Sequence, residues 1–289
     1  MAVLAVDIGG TKMAAGIVGD GGLVTHNRQV ATPASMDPGV VFAAVEGLVR
    51  AVQADATETL DACGVGCGGP MDPGGASVSP LNIGAWRRFP LRQRLADVTG
   101  LDVFVDNDAK ALALGEGAYG AARGERNFVA MVVSTGVGGG IVLDGRLLDG
   151  AQGNAGHIGH VIVEPGGELC ACGAQGCLEA VASGPAIERA TGAPAASADE
   201  GMRARVGRLV GRAVADVANL LDLRLAVVGG SVALGYGDSF FTAAQAEIDA
   251  CARLDFSAGT RIIPVAHGES APLMGAGAVA ARARGQLSL

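Results

Sequence analysis

Residues 155–179 combine metal-ligating side chains with the spacing of a closed metal site. The segment AGHIGHVIVEPGGELCACGAQGCLE carries two histidines and three cysteines: His157, His160, Cys170, Cys172 and Cys177. Three thiolates and one imidazole form a tetrahedral set that suits Zn²⁺ and leaves no open position for a bound water. The segment therefore predicts a structural zinc site. Spacing alone leaves both histidines as candidates for the fourth ligand.

Three glycine turns have the composition of phosphate-binding loops. The first, DIGGTK, follows an apolar run, and STGVGGG and VVGGSV match it later in the chain. Glycines let the backbone approach a phosphate, hydroxyl and ammonium groups donate to its oxygens, and a carboxylate at a strand end can hold Mg²⁺. None of the turns fits the Walker A or G-x-G-x-x-G pattern. Together they predict a nucleotide site lined by Asp7, Gly9, Gly10, Thr11, Lys12, Thr135, Gly136, Gly229 and Gly230.

Two carboxylates, Asp106 and Asp108, lie where VFVDNDAKALALGE changes from a strand pattern to a helix pattern. Phosphoryl transfer requires a base close to the attacking hydroxyl. Asp108 is the stronger candidate, because the positive end of the following helix is expected to keep its carboxylate ionised. Spacing alone equally allows Asp108 to be only the N-cap of that helix.

The elements that must position these residues form two similar halves. Apolar strands broken by GDGG predict an antiparallel meander at the start of the chain, and a helix follows from Pro38. A buried strand, ACGVGC, and the strand before Asp108 come next, and the order of strand, glycine turn and strand then repeats from FVAMVV onward. We therefore expect two α/β lobes that face each other across a cleft. The tail APLMGAGAVAARARG predicts a helix that returns to the first lobe.

The composition excludes several classes of function. The 289 residues have a formal charge of −8, and no basic run is present that would neutralise a nucleic-acid backbone. No segment has the pattern of a signal peptide or a membrane span, so we expect a cytoplasmic protein with no nucleic-acid and no membrane partner. The remaining cysteines, Cys63, Cys67 and Cys251, stand among small apolar residues and are expected to be core or near-core thiols.

The motifs DIGGTK, NDA, STGVGGG, GHIGH, CACGAQGCLE and VVGGSV occur in the order and spacing of the ROK family of bacterial sugar kinases and related repressors. The chain resembles that family over nearly its whole length. The resemblance implies an α/β, two-lobed ribonuclease H-like fold of the actin-type ATPases. Residues 1–107, completed by the helix in 273–289, would form the small lobe, and residues 108–272 the larger lobe with the zinc site. It also implies ATP, Mg²⁺, structural Zn²⁺, a sugar in the cleft, and a homodimer or homotetramer.

The resemblance assigns roles to individual residues. Asp108 matches the base that takes the proton of the sugar hydroxyl, and Asn107 matches the amide that holds a neighbouring hydroxyl. His160 matches the histidine that closes the zinc site, and its second ring nitrogen would contact the sugar. The substrate-binding residues implied in this way are Gly69, Asn82, Asn107, His157, His160 and Glu179.

His157 is where the chain departs from the commonest pattern of the family. Many members, glucokinases among them, carry a glutamate there, whereas AGHIGH resembles the bacterial N-acetylmannosamine kinases. A neutral imidazole offers one donor and one acceptor where a carboxylate offers only acceptors, so we expect a different pattern of sugar groups to be recognised. The resemblance favours phosphorylation of N-acetylmannosamine at its 6-hydroxyl.

Several alternatives to that function remain at this point. Glucose is the second candidate sugar, followed by another amino sugar or a cyclitol, and polyphosphate could replace ATP. The competing class is a non-catalytic, sugar-sensing repressor. Repressors of the family carry a helix-turn-helix domain before the first lobe, whereas here the first strand begins at residue 3 and the charge is acidic, so DNA binding is disfavoured.

Overall fold

The computed structural model describes residues 1–289 as two five-stranded sheets. The first sheet contains the strands β1 (Val3–Ile8), β2 (Lys12–Val18), β3 (Val24–Ala31), β4 (Ala62–Cys67) and β5 (Val103–Asn107). The second contains β6 (Phe128–Val133), β7 (Val137–Leu143), β8 (Arg146–Leu147), β9 (Leu225–Gly229) and β10 (Arg261–Pro264). The predicted α/β fold with two similar halves is confirmed.

Nine α-helices connect and cover the sheets. They are α1 (Pro38–Asp55), α2 (Leu91–Thr99), α3 (Asp108–Tyr119), α4 (Leu178–Ala182), α5 (Gly184–Thr191), α6 (Glu200–Leu221), α7 (Ser231–Tyr236), α8 (Asp238–Cys251) and α9 (Ala271–Ala283). The predicted helix start at Pro38 is confirmed, with the Asp37 side chain accepting from Gly39 N at 2.7 Å. No helix combines the length and the apolar composition that a bilayer crossing requires.

Both sheets have the same strand order. The order is β3-β2-β1-β4-β5 in the first sheet and β8-β7-β6-β9-β10 in the second. In each sheet, the first three strands of this order pair antiparallel with one another, and the remaining two pair parallel, beginning from β1 or β6. Parallel strands present their carboxyl ends at one edge of a sheet. The ends of β1, β4 and β5 therefore share an edge in the first lobe, and those of β6, β9 and β10 share one in the second.

Two helices cross from one lobe to the other. Helix α3 follows β5 of the first sheet, yet it packs against the second sheet so closely that a Cβ at Gly140 would lie 2.6 Å from Ala109 O. Helix α9 follows β10 of the second sheet and packs against the first, where a Cβ at Gly64 would lie 2.0 Å from Ala276 O. The predicted return of the tail helix to the first lobe is confirmed, and the two exchanged helices touch each other at the centre of the molecule.

The cysteines outside the predicted metal site divide into two groups. Cys63 and Cys67 are buried in β4, as expected. Cys251 is exposed, so the expectation of a core thiol is wrong there. It ends α8 on the outer face, where its thiol lies 3.8 Å from the carboxylate of Glu247. The apolar neighbours in sequence, Ile248 and Ala252, occupy the buried face of that turn.

Candidate active site

The two lobes meet where their first strands end. The hydroxyl oxygens of Thr11 and Thr135 lie 2.7 Å apart in a hydrogen bond, although 124 residues separate them in sequence. Thr11 follows β1 and Thr135 follows β6, so this contact joins topologically equivalent turns of the two sheets. The structure thus brings the first two predicted phosphate loops face to face across the cleft.

Asn82 lies between the turns of Gly10 and Gly136. A Cβ at Gly10 would lie 2.6 Å from the Asn82 Cβ, and a Cβ at Gly136 would lie 2.9 Å from Asn82 Nδ2. A side chain at Gly10 would collide with the Asn82 Cβ and backbone oxygen, whereas one at Gly136 would displace the ends of the Asn82 and Glu179 side chains. The glycines therefore serve the close approach of three backbone segments, and the predicted sugar contact Asn82 lies against both phosphate loops.

The third glycine turn lies on the second lobe only. Gly230 has a φ of +98°, and a Cβ there would lie 2.3 Å from Val133 O. The hydroxyls of Ser134 and Ser231 are 2.9 Å apart, which ties this turn to the end of β6. Gly229 and Gly230 thus adjoin the loop of Thr135, while the structure shows no contact between them and the first turn.

Two carboxylates flank β4 at the floor of the cleft. A Cβ at Gly66 would lie 3.5 Å from Asp108 Cα and 3.6 Å from Asp7 Oδ1. Burial, followed by the negative charge of Asp108, raises the pKa of Asp7 to about 7, against the opposing effect of Lys12. Two neighbouring acids, one of which raises the pKa of the other, form a site that favours a cation.

Asp108 begins α3 but does not cap it. The cap is Asn107, whose Oδ1 accepts from Ala109 N at 3.0 Å and from Lys110 N at 3.4 Å. Burial raises the pKa of the Asp108 carboxyl, and Glu179 adds to the rise, although the hydrogen bond from Ala109 N opposes it. Burial therefore outweighs the helix terminus in setting the direction of the pKa shift at Asp108.

The other candidate base, Asp106, is already engaged. Its Oδ1 lies 2.9 Å from the ammonium of Lys110 and accepts from Asn107 N at 2.8 Å. In contrast, the only hydrogen bond to the Asp108 carboxylate is that of Ala109 N to Oδ1, at 2.8 Å. Its Oδ2 is left for a substrate, which favours Asp108 as the base.

Two of the predicted sugar contacts, Asn107 and His157, lie beside Gly69. A Cβ there would lie 3.4 Å from Asn107 Nδ2 and 3.6 Å from His157 Nε2, so an amide and an imidazole converge on this turn. Burial, and then the charge of His160, lower the pKa of His157, while Glu179 raises it. Because burial dominates, His157 presents a neutral ring with one donor and one acceptor.

Glu179 connects the sugar side of the cleft to the second phosphate loop. It lies in the first turn of α4, and its Oε2 accepts from Val137 N at 2.9 Å. This bond fixes one carboxylate oxygen beneath Gly136, where a Cβ would lie 2.9 Å from it. The predicted sugar contact thus also shapes the loop of Thr135.

The cluster of three cysteines and one histidine has the dimensions of a tetrahedral site. Cys170 Sγ lies 3.6 Å from His160 Nδ1, and Cys172 Sγ lies 3.6 Å from Cys177 Sγ. All four donor atoms lie within 4.8 Å of one another. Zinc bonded to sulfur at about 2.3 Å and to nitrogen at about 2.0 Å places its ligand atoms roughly 3.5–3.8 Å apart, so the cluster fits Zn²⁺.

The fourth donor of this cluster is His160 and not His157. The His160 ring uses Nδ1 toward the sulfurs, which leaves Nε2 on the opposite side. The two imidazole rings are 6.0 Å apart and tilted by 24°. The two histidines therefore occupy separate but adjacent positions, His160 in the cysteine cluster and His157 beside Gly69.

Three residues of the site escaped the sequence analysis. Lys110 is buried and contacts the carboxylates of Asp106 and Asp149. Asn154 joins the lobes, since its Oδ1 accepts from Met71 N at 3.3 Å and its Nδ2 donates to Met71 O at 3.2 Å. The only signal in the sequence was Lys110 itself, a lysine inside an apolar helix pattern, four residues after Asp106. Nothing local marks the other two.

The sequence model of the ROK family matches residues 3–283. The chain belongs to the ROK family. Among its relatives, the N-acetylmannosamine kinase of Shigella flexneri is 39% identical over 253 residues, which cover 82% of this chain and 85% of the relative. The same level of similarity extends to the N-acetylmannosamine kinase of Escherichia coli O157:H7, at 40% identity over 82% of this chain and 85% of that one.

Solved structures of ROK proteins share the fold. A ROK family glucokinase from Streptomyces griseus in complex with glucose and AMPPNP has a TM-score of 0.85 and 30% identity, covering 96% of this chain and 98% of that one. The predicted two-lobed, actin-like ATPase fold is confirmed. A ROK family transcriptional regulator, a homologue of the Escherichia coli MLC protein, has a TM-score of 0.79 and 25% identity, with coverage of 96% and 77%.

Proposed function

We propose that the protein is an ATP-dependent kinase that transfers the γ-phosphoryl group to the 6-hydroxyl of N-acetylmannosamine. The observation that carries the proposal is the convergence of the Thr11 and Thr135 turns on a floor that contains Asp108. A two-lobed nucleotide site needs donors from both sides and a base beside the acceptor hydroxyl. The N-acetylmannosamine kinases at 39–40% identity support the reaction and the sugar.

The reaction uses few groups of the chain. The sugar hydroxyl oxygen attacks the γ-phosphorus, the bond from that phosphorus to the bridging oxygen breaks, and ADP leaves. Asp108 Oδ2 accepts the hydroxyl proton, while Oδ1 stays bonded to Ala109 N. Thr11, Lys12 and Thr135 donate to the phosphate oxygens, and Gly229 and Gly230 give the nucleoside a flat backbone surface.

Mg²⁺ fits the carboxylates at the floor of the cleft. Asp7 would hold it together with the phosphates of ATP, because hard cations prefer oxygen ligands and the neighbouring acids favour positive charge. When bound, the ion neutralises charge on the transferring group. Asp7 and Gly9 begin the loop that orients these phosphates, whereas the proton is still taken by Asp108.

Zn²⁺ fits the cluster of His160 and the three cysteines, with a structural role. Four protein ligands leave no open position for chemistry. The ion would fix the segment that leads into α4, where Glu179 holds the loop of Thr135. His160 Nε2 is then oriented toward the sugar side as a hydrogen-bonding group.

The sugar is held, in this proposal, by the groups around Gly69 together with Asn82 and Glu179. His157 distinguishes N-acetylmannosamine, since a neutral ring can donate to an acetyl carbonyl where a glutamate would repel it. Glucose is the second candidate, favoured by the close structural match to the Streptomyces griseus glucokinase.

Release of ADP, measured by a coupled assay over a panel of sugars, tests this function. We expect turnover with ATP and N-acetylmannosamine to exceed that with glucose, mannose, N-acetylglucosamine and a cyclitol. A far higher kcat/KM for glucose would overturn the sugar but leave the kinase. Absence of turnover with every sugar, together with sugar binding, would instead favour the sensing role of the ROK regulator.

The same proposal covers the organisation of the molecule. We place the lobe boundary at residue 107, with 273–289 in the small lobe, because α9 packs against the first sheet. The cytoplasm, where ATP is available, is the proposed location. A homodimer or homotetramer is the proposed assembly, and the molar mass by light scattering tests it.

A further inference from the structure

We propose that Lys110 is a positioning residue that sets the distance between the base Asp108 and the loop that presents His157. The inference rests on the proposed kinase function and assigns a specificity role to a side chain outside the catalytic and metal-binding groups. Its ammonium lies on α3, two residues after Asp108, and contacts the segment of residues 149–157, here called the 149–157 loop.

The Lys110 ammonium has three close oxygen neighbours. It lies 2.9 Å from Asp106 Oδ1, 2.8 Å from Asp149 Oδ1 and 3.2 Å from Gly153 O. The ammonium donates hydrogen bonds to Asp149 and Gly153 and forms an ion pair with Asp106, so it is neutralised by two carboxylates. The Lys110 side chain is 3% exposed, which makes the loss of any partner costly. The ammonium thus joins the end of β5 to Asp149 and Gly153 of the 149–157 loop.

The choice of lysine is itself informative. Lys12 and Lys110 are the two lysines of a chain whose other basic side chains are arginines. An ammonium is a compact point charge with three diverging donors, whereas a guanidinium is a larger planar fork. The Lys110 ammonium contacts oxygens of three separate residues, a pattern that suits a point charge better than a planar fork, and both lysines of the protein lie at the proposed active site.

The 149–157 loop is fastened at its base to both exchanged helices. Asp149 Oδ1 accepts a hydrogen bond from Lys110 of α3, and Asp149 Oδ2 accepts one from Arg282 of α9 at 2.9 Å. Within the loop, Ala155 N donates to Asp149 O at 3.0 Å. The start of the loop is therefore held against α3, the helix whose first residue is Asp108.

At its tip the loop reaches the first lobe. Asn154 makes two hydrogen bonds with the Met71 backbone, close to the turn of Gly69. His157 follows directly and faces that turn. A shift of the loop base moves His157 relative to Asp108, and a displacement near 1 Å costs about 100-fold in rate when it misplaces a substrate. Lys110 consequently acts on the sugar through His157 and does not touch the sugar itself.

The test compares Lys110→Met, Asp149→Asn and the double variant. We expect the KM for N-acetylmannosamine to rise about tenfold or more in Lys110→Met and somewhat less in Asp149→Asn, with the KM for ATP unchanged and kcat lowered by less. The effects in the double variant should be less than additive, because both single changes break the Lys110–Asp149 contact. Lys110→Arg should not restore the sugar KM.

Arg28→Met is the control, since Arg28 pairs with Asp55 on the surface of the first lobe. It should leave both KM values unchanged. Asp149 is half exposed, so Asp149→Asn keeps the proposal testable if Lys110→Met does not fold. A lower melting temperature with an unchanged sugar KM in Asp149→Asn would overturn the proposal and leave a purely structural ion pair.

Hydrogen exchange separates this proposal from the kinase function. In the wild-type protein the amide of Ala155 is bonded within the loop, and we expect its exchange to accelerate in Asp149→Asn while that of β6 stays the same. Unchanged exchange in the loop would contradict the positioning role. If no sugar is phosphorylated by the wild-type protein, the proposed function fails, yet the exchange measurement still decides whether Lys110 and Asp149 hold the loop.

Discussion

The two sheets have the same strand order but place different chemistry at equivalent strand ends. In the first sheet, the next-to-last residue of β1 is Asp7, and the residue that follows β5 is Asp108. In the second lobe, the corresponding positions are Val132 in β6 and Val265 after β10. Apart from Glu179 on α4, the carboxylates of the site therefore come from the strand ends of the first sheet. The second supplies neutral donors, among them Thr135 and the backbone of its glycine turns.

This division has a physical reason. A nucleotide brings several negative charges, and a cation between the carboxylates and the phosphates neutralises part of them. Neutral donors on the opposite side bind phosphate oxygens without repelling the acids. The exchange of α3 and α9 between the lobes then places Asp108 at the boundary, on a helix that begins in one sheet and packs on the other.

The largest effect is expected from removing the charge at the end of β5. Asp108→Asn keeps the shape of the side chain but removes the proton acceptor, so kcat should fall by about 10²–10⁴-fold with sugar binding retained. Single-turnover kinetics and sugar titration measure the two quantities. Asp102→Asn, an exposed aspartate that precedes the same strand, is the matched control and should behave as wild type. Near-normal turnover in Asp108→Asn would sink the assignment of the base.

The exchanged helices provide a second test of the comparison. Gly64→Ala forces a Cβ to 2.0 Å from Ala276 O, and Gly140→Ala forces one to 2.6 Å from Ala109 O. Each should lower the free energy of unfolding by about 1–3 kcal/mol, with Gly64→Ala the more severe, as measured by urea denaturation. Gly47→Ala is the control, because no atom lies within 4 Å of that Cβ and the residue is exposed in α1. It should raise stability by about 0.5–1 kcal/mol. Equal stability of Gly64→Ala and Gly47→Ala would contradict the packing described.

The cysteine cluster belongs to the second lobe alone, and its removal tests whether a metal stabilises that lobe. Cys172→Ser should lower the zinc content from one ion per chain toward none and the free energy of unfolding by about 2 kcal/mol, which corresponds to a melting temperature about 4–8 °C lower. Metal analysis and calorimetry measure both. Cys251→Ser, at an exposed cysteine remote from the cluster, should retain the metal. Equal zinc content in the two variants would remove the proposed site.

Sequence reasoning succeeded where the signal was local. Apolar runs that end in glycines marked β1, β6 and β9, and the change of period after Asn107 marked the start of α3. The repeat of this order in the second half predicted the two lobes. The cysteine spacing likewise predicted a cluster whose donor atoms the structure brings within 4.8 Å.

The sequence did not predict the features of the site that depend on contacts between segments far apart in the chain. The Lys110–Asp149 pair joins residues 39 positions apart, and Asn154 contacts Met71 across 83 positions. A single sequence contains no trace of such pairs. The raised pKa of Asp108 was missed for a related reason, since the helix terminus is visible in the sequence but the burial that outweighs it is not.

The pH dependence of stability tests the contrast at the end of β1. Burial and the charge of Asp108 raise the pKa of Asp7 to about 7, from 3.8 in an ordinary aspartate. Between these values the folded protein binds more protons at this group than the unfolded chain does. The contribution of Asp7 to stability is therefore fully present below about pH 4 and is lost as the pH rises toward 7.

Urea denaturation of the ligand-free protein at several pH values measures this contribution, with Asp7→Asn as the comparison. The difference in unfolding free energy between the two proteins should shift in favour of Asp7→Asn as the pH rises from 4 to 7, because the amide never ionises. Val132→Asn, at the equivalent position of β6, should show no such shift relative to wild type. Parallel pH curves for wild type and Asp7→Asn would mean that the carboxylate is not desolvated, and the electrostatic contrast between the two lobes would then be reduced to Asp108.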